Sequence, residues 1–245
     1  MSTETIPGPG PGWLLPAPAV VELAGVALAY PGPPPVTALH PVDLTVGRGE
    51  LVIVTGQAGS GKTALLNLIG LLDRPTAGRY RLNGTNTAYL GERDRAALRA
   101  RQFGLVFQQP RLLPSRSVVD NVALALLYHG LRERDRRRRA MEALNQAGLA
   151  GRSGIPAGRL SAGQRQLTCI ARALAGRPSL MLCDEPTAGL DDAAAALVTE
   201  LLAGWHRDGG TAVIVTSDRA LAAHGTSFLA VGAALSADQS LGQVR

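Results

Sequence analysis

The amino-acid sequence predicts an α/β fold built on a parallel sheet that is buried on both faces. Three observations carry this. First, the runs Glu50–Gly56 (ELVIVTG), Ser179–Glu185 (SLMLCDE) and Thr211–Ser217 (TAVIVTS) are continuously aliphatic and do not alternate. That is the pattern of strands covered from above and below. Second, segments with helical periodicity lie between the runs. Third, every run ends in glycine, acidic or polar residues, and open α/β sheets bind ligands beyond the carboxyl ends of their strands. Three such ends predict one shared site.

The elements follow in chain order. Residues 1–19 contain Pro7-Gly8-Pro9-Gly10-Pro11-Gly12 and are expected to form a mobile tail. A single domain is expected over 20–235, with a short tail at 236–245. Val42–Val46 and Tyr80–Asn83 read as short strands of an antiparallel edge. A helix is expected over Lys62–Leu72, directly after the first run. Two more, Arg132–Gly148 and Ser161–Leu174, precede the second run, and the first of these stops at a glycine. Asp191–His206 is the helix before the third run. No internal repeat and no heptad run is present.

Composition sets the class. With 46% hydrophobic residues in 245, the chain can bury a core and is not disordered throughout. Its uncharged apolar stretches, such as Leu65–Leu72, fall short of the roughly 20 residues that cross a bilayer. No basic segment followed by an apolar one opens the chain, so no secretory signal is read and a soluble protein is expected. The 25 basic and 19 acidic residues give a net charge of +6. Such a balance suits a nucleic-acid binder or a protein at an anionic membrane surface. Lys62 is the only lysine and all other basic residues are arginine, a usage that reads as coding bias and leaves Lys62 conspicuous. Cys169 and Cys183 are too few for a disulfide framework, which fits a reducing cytosol.

The loop Gly56-Gln57-Ala58-Gly59-Ser60-Gly61-Lys62-Thr63 fits G-x-x-x-x-G-K-[ST] between a buried strand and a helix. Glycines let successive backbone N–H groups turn inward around a phosphate, and the helix N-terminus adds partial positive charge. Lys62 is then expected on the outer phosphates and the Thr63 hydroxyl on Mg²⁺. A nucleoside triphosphate is the expected ligand. The second run ends in Asp184-Glu185, and two adjacent carboxylates at a buried strand end point to a cation beside them. Asp184 is assigned to the metal through its water shell, and Glu185 to the attacking water. The plainer alternative is a helix-capping cluster before Pro186.

Leu160-Ser161-Ala162-Gly163-Gln164, followed by Ile170-Ala171-Arg172-Ala173-Leu174, completes a motif order that resembles the ATP-binding cassette (ABC) transporter ATPases over residues 20–218. In that resemblance Asp184–Asp191 looks like the Walker B segment running into the D-loop, with Asp191 at its end. Phe107-Gln108 and Leu112-Leu113-Pro114 look like the Q-loop, and Gln108 is the glutamine near Mg²⁺ and water. Tyr30 matches the aromatic that stacks on adenine; alone it would read as an ordinary strand residue. The fold implied is a RecA-like parallel-sheet core of the P-loop NTPase class, with an antiparallel β edge and a helical subdomain inserted at about 109–175. ATP and Mg²⁺ are the implied ligands, bound by Tyr30 and the loop Gly56–Ala64. Ala64 closes that loop.

Such ATPases pair head to tail, which would bring Ser161 and Gly163 to a partner subunit's γ-phosphate, with Gln164 also in the nucleotide site. A separate membrane permease and a position on the cytoplasmic face of the membrane are implied as well. Leu66–Gly78 and Phe103–Gln108 resemble the branch that contains macrolide-type exporters, lipoprotein-release complexes and a cell-division pair. Transport substrate belongs to the permease, so the ATPase sequence does not name it.

Three positions depart from the pattern. Ala162 replaces the first glycine of the signature, a small change. Leu167 stands where arginine is frequent. Ser217, 32 residues after Glu185, stands where the switch histidine belongs. Serine can donate one hydrogen bond but lacks imidazole's reach and charge. Slow turnover, or an ATP-binding switch that gates a partner, is the alternative this raises; a soluble non-transport ATPase is another. His224, seven residues on, is expected on a surface helix. The basic run Arg132–Arg139 reads first as a solvated helix face and second as a contact with lipid heads or a permease. The lack of aromatics around it argues against nucleic acid.

Overall fold

The computed structural model describes residues 19–232, so apart from Ala19 the tails expected at 1–19 and 236–245 lie outside the described residues. The three apolar runs form β3 (Leu51–Thr55), β7 (Leu180–Asp184) and β8 (Ala212–Val215). They lie side by side in a five-stranded parallel sheet ordered β6-β7-β8-β3-β9, with β6 over Phe103–Val106 and β9 over Ser227–Ala230. The register pairs Cys183 with Ile214 and Ile53 with Ile214 in turn, so the three carboxyl ends emerge together.

Alternate residues of these strands face two separate cores, which is why the runs are continuously apolar. Val52, Val54, Leu182, Val213 and Val215 point into one core. Leu51, Ile53, Met181, Cys183 and Ile214 point into the other. The first core holds α1 (Lys62–Ile69) beneath an antiparallel sheet of β1 (Val21–Tyr30), β2 (Val36–Val46), β4 (Ala77–Leu82) and β5 (Thr85–Asn86). That sheet has the order β2-β1-β4-β5. The second core holds α3 (Val118–Ala123), α4 (Glu133–Gln146), α5 (Ala162–Ala175) and α6 (Asp192–Arg207). Of these, α3 to α5 are inserted between β6 and β7, within the span expected for a helical subdomain.

Several expected boundaries change. Val42–Val46 lies within the longer β2 and Tyr80–Leu82 within β4, while Asn83 turns out of the strand with φ 47°; β1 between the two strands carries no clear sequence signal. The helix expected over Lys62–Leu72 ends at Ile69. Leu71 turns into the left-handed region with φ 57°, and the Leu72 N–H donates back to the Asn67 carbonyl. This closes the helix in the manner of a Schellman turn. The freed carbonyls are satisfied from other elements. Tyr80 Oη donates to Ile69 O at 2.7 Å, and Arg95 and Arg99 of α2 (Glu92–Gln102) both donate to Leu71 O. Sequence periodicity sees the apolar residues of this turn but not the arginines that stop it.

The other helices keep their expected places within two residues. Asp191 caps α6 by accepting from the Ala194 N–H at 2.8 Å. Gly148 (φ 69°) lies just past α4, as a stop signal should. A final short helix, α7 (Arg219–Ala222), precedes β9.

Candidate functional site

The loop Gly56–Gly61 leaves β3 and enters α1 at the carboxyl ends of β7 and β8. Two of its glycines, Gly56 and Gly61, are sterically required. A Cβ on Gly61, which has φ 100°, would lie 2.5 Å from the Ala38 carbonyl of β2. A Cβ on Gly56 would press on Val231 O and come within 2.6 Å of Ser60 Oγ. Any side chain there would close the loop against its own walls. Gln57, Ala58 and Gly59 are exposed, whereas Ser60 and Ala64 are half-buried.

Lys62 Nζ donates to the carbonyls of Gly56 (2.8 Å) and Gln57 (2.7 Å), arching over the loop. One helical step on, Thr63 Oγ1 donates to Asp184 Oδ2 at 2.8 Å. Two residues assigned to a metal from separate motifs, 121 positions apart, are therefore in direct contact. Beside them Glu185 sits in the left-handed region (φ 44°), its N–H donating to the Val215 carbonyl. Both the Ser217 N–H (3.1 Å) and Ser217 Oγ (3.2 Å) donate to Glu185 Oε2. Gln108 is exposed two residues beyond β6, whose Val106 pairs with Cys183. Asn67, Val106, Phe107 and Asp184 line one crevice at this edge.

The donor set fits a triphosphate and a hard divalent cation. The loop has a glycine-walled cradle, and Ser60 Oγ within it is buried without a protein partner. A hydroxyl and a carboxylate, the oxygen ligands that Mg²⁺ prefers, meet at its edge. The neighbouring thiol plays no part in this chemistry. Cys183 is fully buried, and desolvation, with the Asp184 charge second, pushes its thiol far up, so it stays protonated and inert.

Other expected residues occupy supporting positions. Tyr30 ends β1, paired with Val36 of the strand that walls Gly61. Its ring is 45% exposed, and its hydroxyl donates to Asp73 Oδ2 at 3.2 Å, fixing the ring at the rim. Ser161 and Gln164 form a reciprocal capping box at the start of α5. Gly163 is buried where a Cβ would lie 2.5 Å from Ala194 Cβ, so this glycine also serves packing between α5 and α6. The resemblance gives these three as nucleotide contacts; the structure adds their local roles in capping and packing. His224 is at the surface, but it lies in the turn after α7 and not on a helix. The basic run is a helix face with pairs of its own. Arg137 meets Asp120 at 3.0 Å, and Arg138 meets Asp135 and Glu142.

A groove of about 880 Å³ lies between α2, the 3-10 turn Leu124–His129 and α5. It is lined by the apolar or aromatic Leu72, Phe107, Leu124 and Tyr128 and by Arg93, Arg99, Arg101 and Arg172. Tyr128 is 76% exposed. No acidic residue lines it. The groove adjoins the Q-loop region, where the Arg111 guanidinium stacks 5.0 Å from the centre of the Phe107 ring.

Comparison with known proteins gives a consistent result. The family model described as "ABC transporter" matches residues 39–188. The macrolide export ATP-binding/permease protein MacB of Rhodopseudomonas palustris is 43% identical over 206 residues, covering 84% of this chain and 32% of that protein. The chain thus spans about a third of the length of the macrolide-export relatives it matches. The lipoprotein-releasing system ATP-binding protein LolD of Bordetella avium is 46% identical over 193 residues, covering 78% of this chain and 84% of that protein. Among solved structures, the dimeric post-hydrolysis state of the ATP-binding cassette MJ0796 bound to ADP and Pi superposes with a TM-score of 0.80. It is 35% identical to this chain and covers 86% of it and 94% of that one. The chain belongs to the ABC transporter family.

Proposed function

We propose that this chain binds ATP at the Gly56–Thr63 loop, hydrolyses it as a head-to-tail dimer, and uses the cycle to drive a separate membrane permease. The observation that carries the reading is the Thr63–Asp184 contact, with Glu185 beside it at the end of β7. It joins a phosphate cradle to a cation site and a general base. Lys62, released from the Gly56 and Gln57 carbonyls, binds the outer phosphates. Thr63, Asp184 and Gln108 hold Mg²⁺, which neutralises developing phosphate charge. Tyr30 offers its exposed ring to adenine.

Glu185 accepts a proton from water as the water oxygen bonds to the γ-phosphorus and the bond to the bridging oxygen of ADP breaks. The products are ADP and phosphate. Ser161, Gly163 and Gln164, at the N-terminus of α5, together with Asp191, face the partner subunit's nucleotide, where the helix end favours an anion. The solved dimer of MJ0796 with ADP and Pi supports this arrangement by likeness.

The arginine-walled groove supports a permease partner. Its apolar and arginine lining suits an amphipathic, acid-bearing cytoplasmic segment of such a protein. The macrolide-export and lipoprotein-release relatives favour outward movement of a substrate or mechanical transmission, from the cytoplasmic face of the membrane. Among the described residues no helix is long and apolar enough to cross a membrane. Tyr128→Ala is expected to lower co-sedimentation with membranes from the chain's own cells at least about tenfold while ATP affinity stays within about twofold, because truncating an exposed aromatic at an interface centre removes a docking anchor. Undiminished co-sedimentation would remove the groove from the interface.

A second reading, the slow ATP-binding switch, is favoured by Ser217 alone. Loss of a charge-assisted donor in a dry site costs on the order of 10²-fold in rate. Ser217→His is therefore expected to raise turnover with ATP affinity nearly unchanged. A parent that closes on ATP but releases no phosphate would establish the switch instead.

A further inference from the structure

Glu185 is held from two directions by the end of β8. Its main-chain N–H donates to Val215 O at 2.8 Å, and its Oε2 accepts both donors of Ser217, two residues further along. All three bonds therefore come from one short stretch, Val215–Ser217. The backbone at Glu185 is in the left-handed region, where a residue with a side chain persists only if its surroundings fix it. Its second carboxylate oxygen, Oε1, has no hydrogen bond among the described residues. One oxygen is anchored and the other is presented.

A serine has a single O–H to give. Here it is committed to Glu185, so it cannot at the same time donate to a phosphate. Resting on the function proposed above, we propose that Ser217 is a positioning residue for the general base: it orients the Glu185 carboxylate so that Oε1 meets the attacking water, and it does not sense the nucleotide. The serine at this position then substitutes for part of an imidazole's work through the carboxylate rather than through the phosphate. The main-chain N–H supplies the half of the anchor that an alanine or threonine at this position retains.

The test uses the purified full chain with Mg²⁺ and ATP, comparing the parent with Ser217→Ala and Ser217→Thr. Ser217 is exposed, so neither change disturbs the core. Ser217→Ala should lower kcat about tenfold, the loss of one hydrogen bond to a charged group, while KM and the equilibrium ATP affinity move by less than about twofold. Ser217→Thr, which keeps the hydroxyl, should return kcat to within about twofold of the parent. In a Glu185→Gln background Ser217→Ala should add no further loss, because the serine acts through the carboxylate. Weakened ATP binding in Ser217→Ala would overturn the proposal in favour of phosphate sensing. Unchanged kcat, or failure of threonine to rescue, would overturn it as well. A parent without hydrolysis would refute the proposed function itself, and the positioning role with it; an active parent matched by Ser217→Ala refutes only the role of Ser217.

Discussion

Lys62→Ala is expected to weaken ATP binding by about 10²-fold, the equivalent of a lost charge-assisted contact in a desolvated site. The change also removes the two hydrogen bonds by which Nζ bridges the Gly56 and Gln57 carbonyls, so the loop loses its internal strut together with its phosphate ligand. Equilibrium binding of a fluorescent ATP analogue checks this. Affinity equal to the parent's would remove the loop from nucleotide binding. Because Lys62 is the only lysine, a lysine-directed reagent reports on the same site. ATP should protect this position, leaving the N-terminal amine as the only other amine to react.

Glu185→Gln should have the second large effect. The side chain keeps its shape and its place beside Ser217 but no longer accepts a proton at physiological pH. Removing a positioned general base costs about 10²- to 10⁴-fold in rate. ATP then remains uncleaved between two subunits, and its phosphates continue to join the loop of one to the signature helix of the other. Light scattering with ATP should show a dimer population that persists in the variant and is transient in the parent. A variant that stays monomeric at high protein concentration with ATP would contradict the head-to-tail arrangement.

The parts of this molecule legible in the sequence are those whose chemistry is local. The continuous apolar runs at 51–55, 180–184 and 212–215 declare strands buried on both faces, and the two cores that divide their alternating side chains explain the pattern. The phosphate loop is legible because glycine and lysine spacing reflects backbone geometry within eight residues. Less legible is whatever depends on a distant partner. The end of α1 at Ile69 is set by Tyr80, Arg95 and Arg99, from a strand and a helix further along the chain. Strand β1 reads weakly because Gly25 and irregular pairing interrupt its alternation.

At the site, the types of residues were legible and their couplings were not. Thr63 and Asp184 were each assigned to a cation, but spacing could not reveal that they touch. Ser217 was noticed as a departure from histidine, and only the fold reveals that both of its donors reach one oxygen of Glu185. Ser161 and Gln164 carried a local signal, a serine followed three residues later by glutamine, that identifies a capping box directly. The groove has no sequence signature, since its arginines come from two helices far apart in the chain, α2 (Arg93, Arg99 and Arg101) and α5 (Arg172).

The central claim is that one site, made by the ends of β3, β7 and β8, cleaves ATP. Steady-state phosphate release by the purified chain with Mg²⁺ and ATP tests it most directly. The account predicts sustained release that falls at least about 10²-fold in both Lys62→Ala and Glu185→Gln. No release from the parent, or release that survives both substitutions, would contradict it.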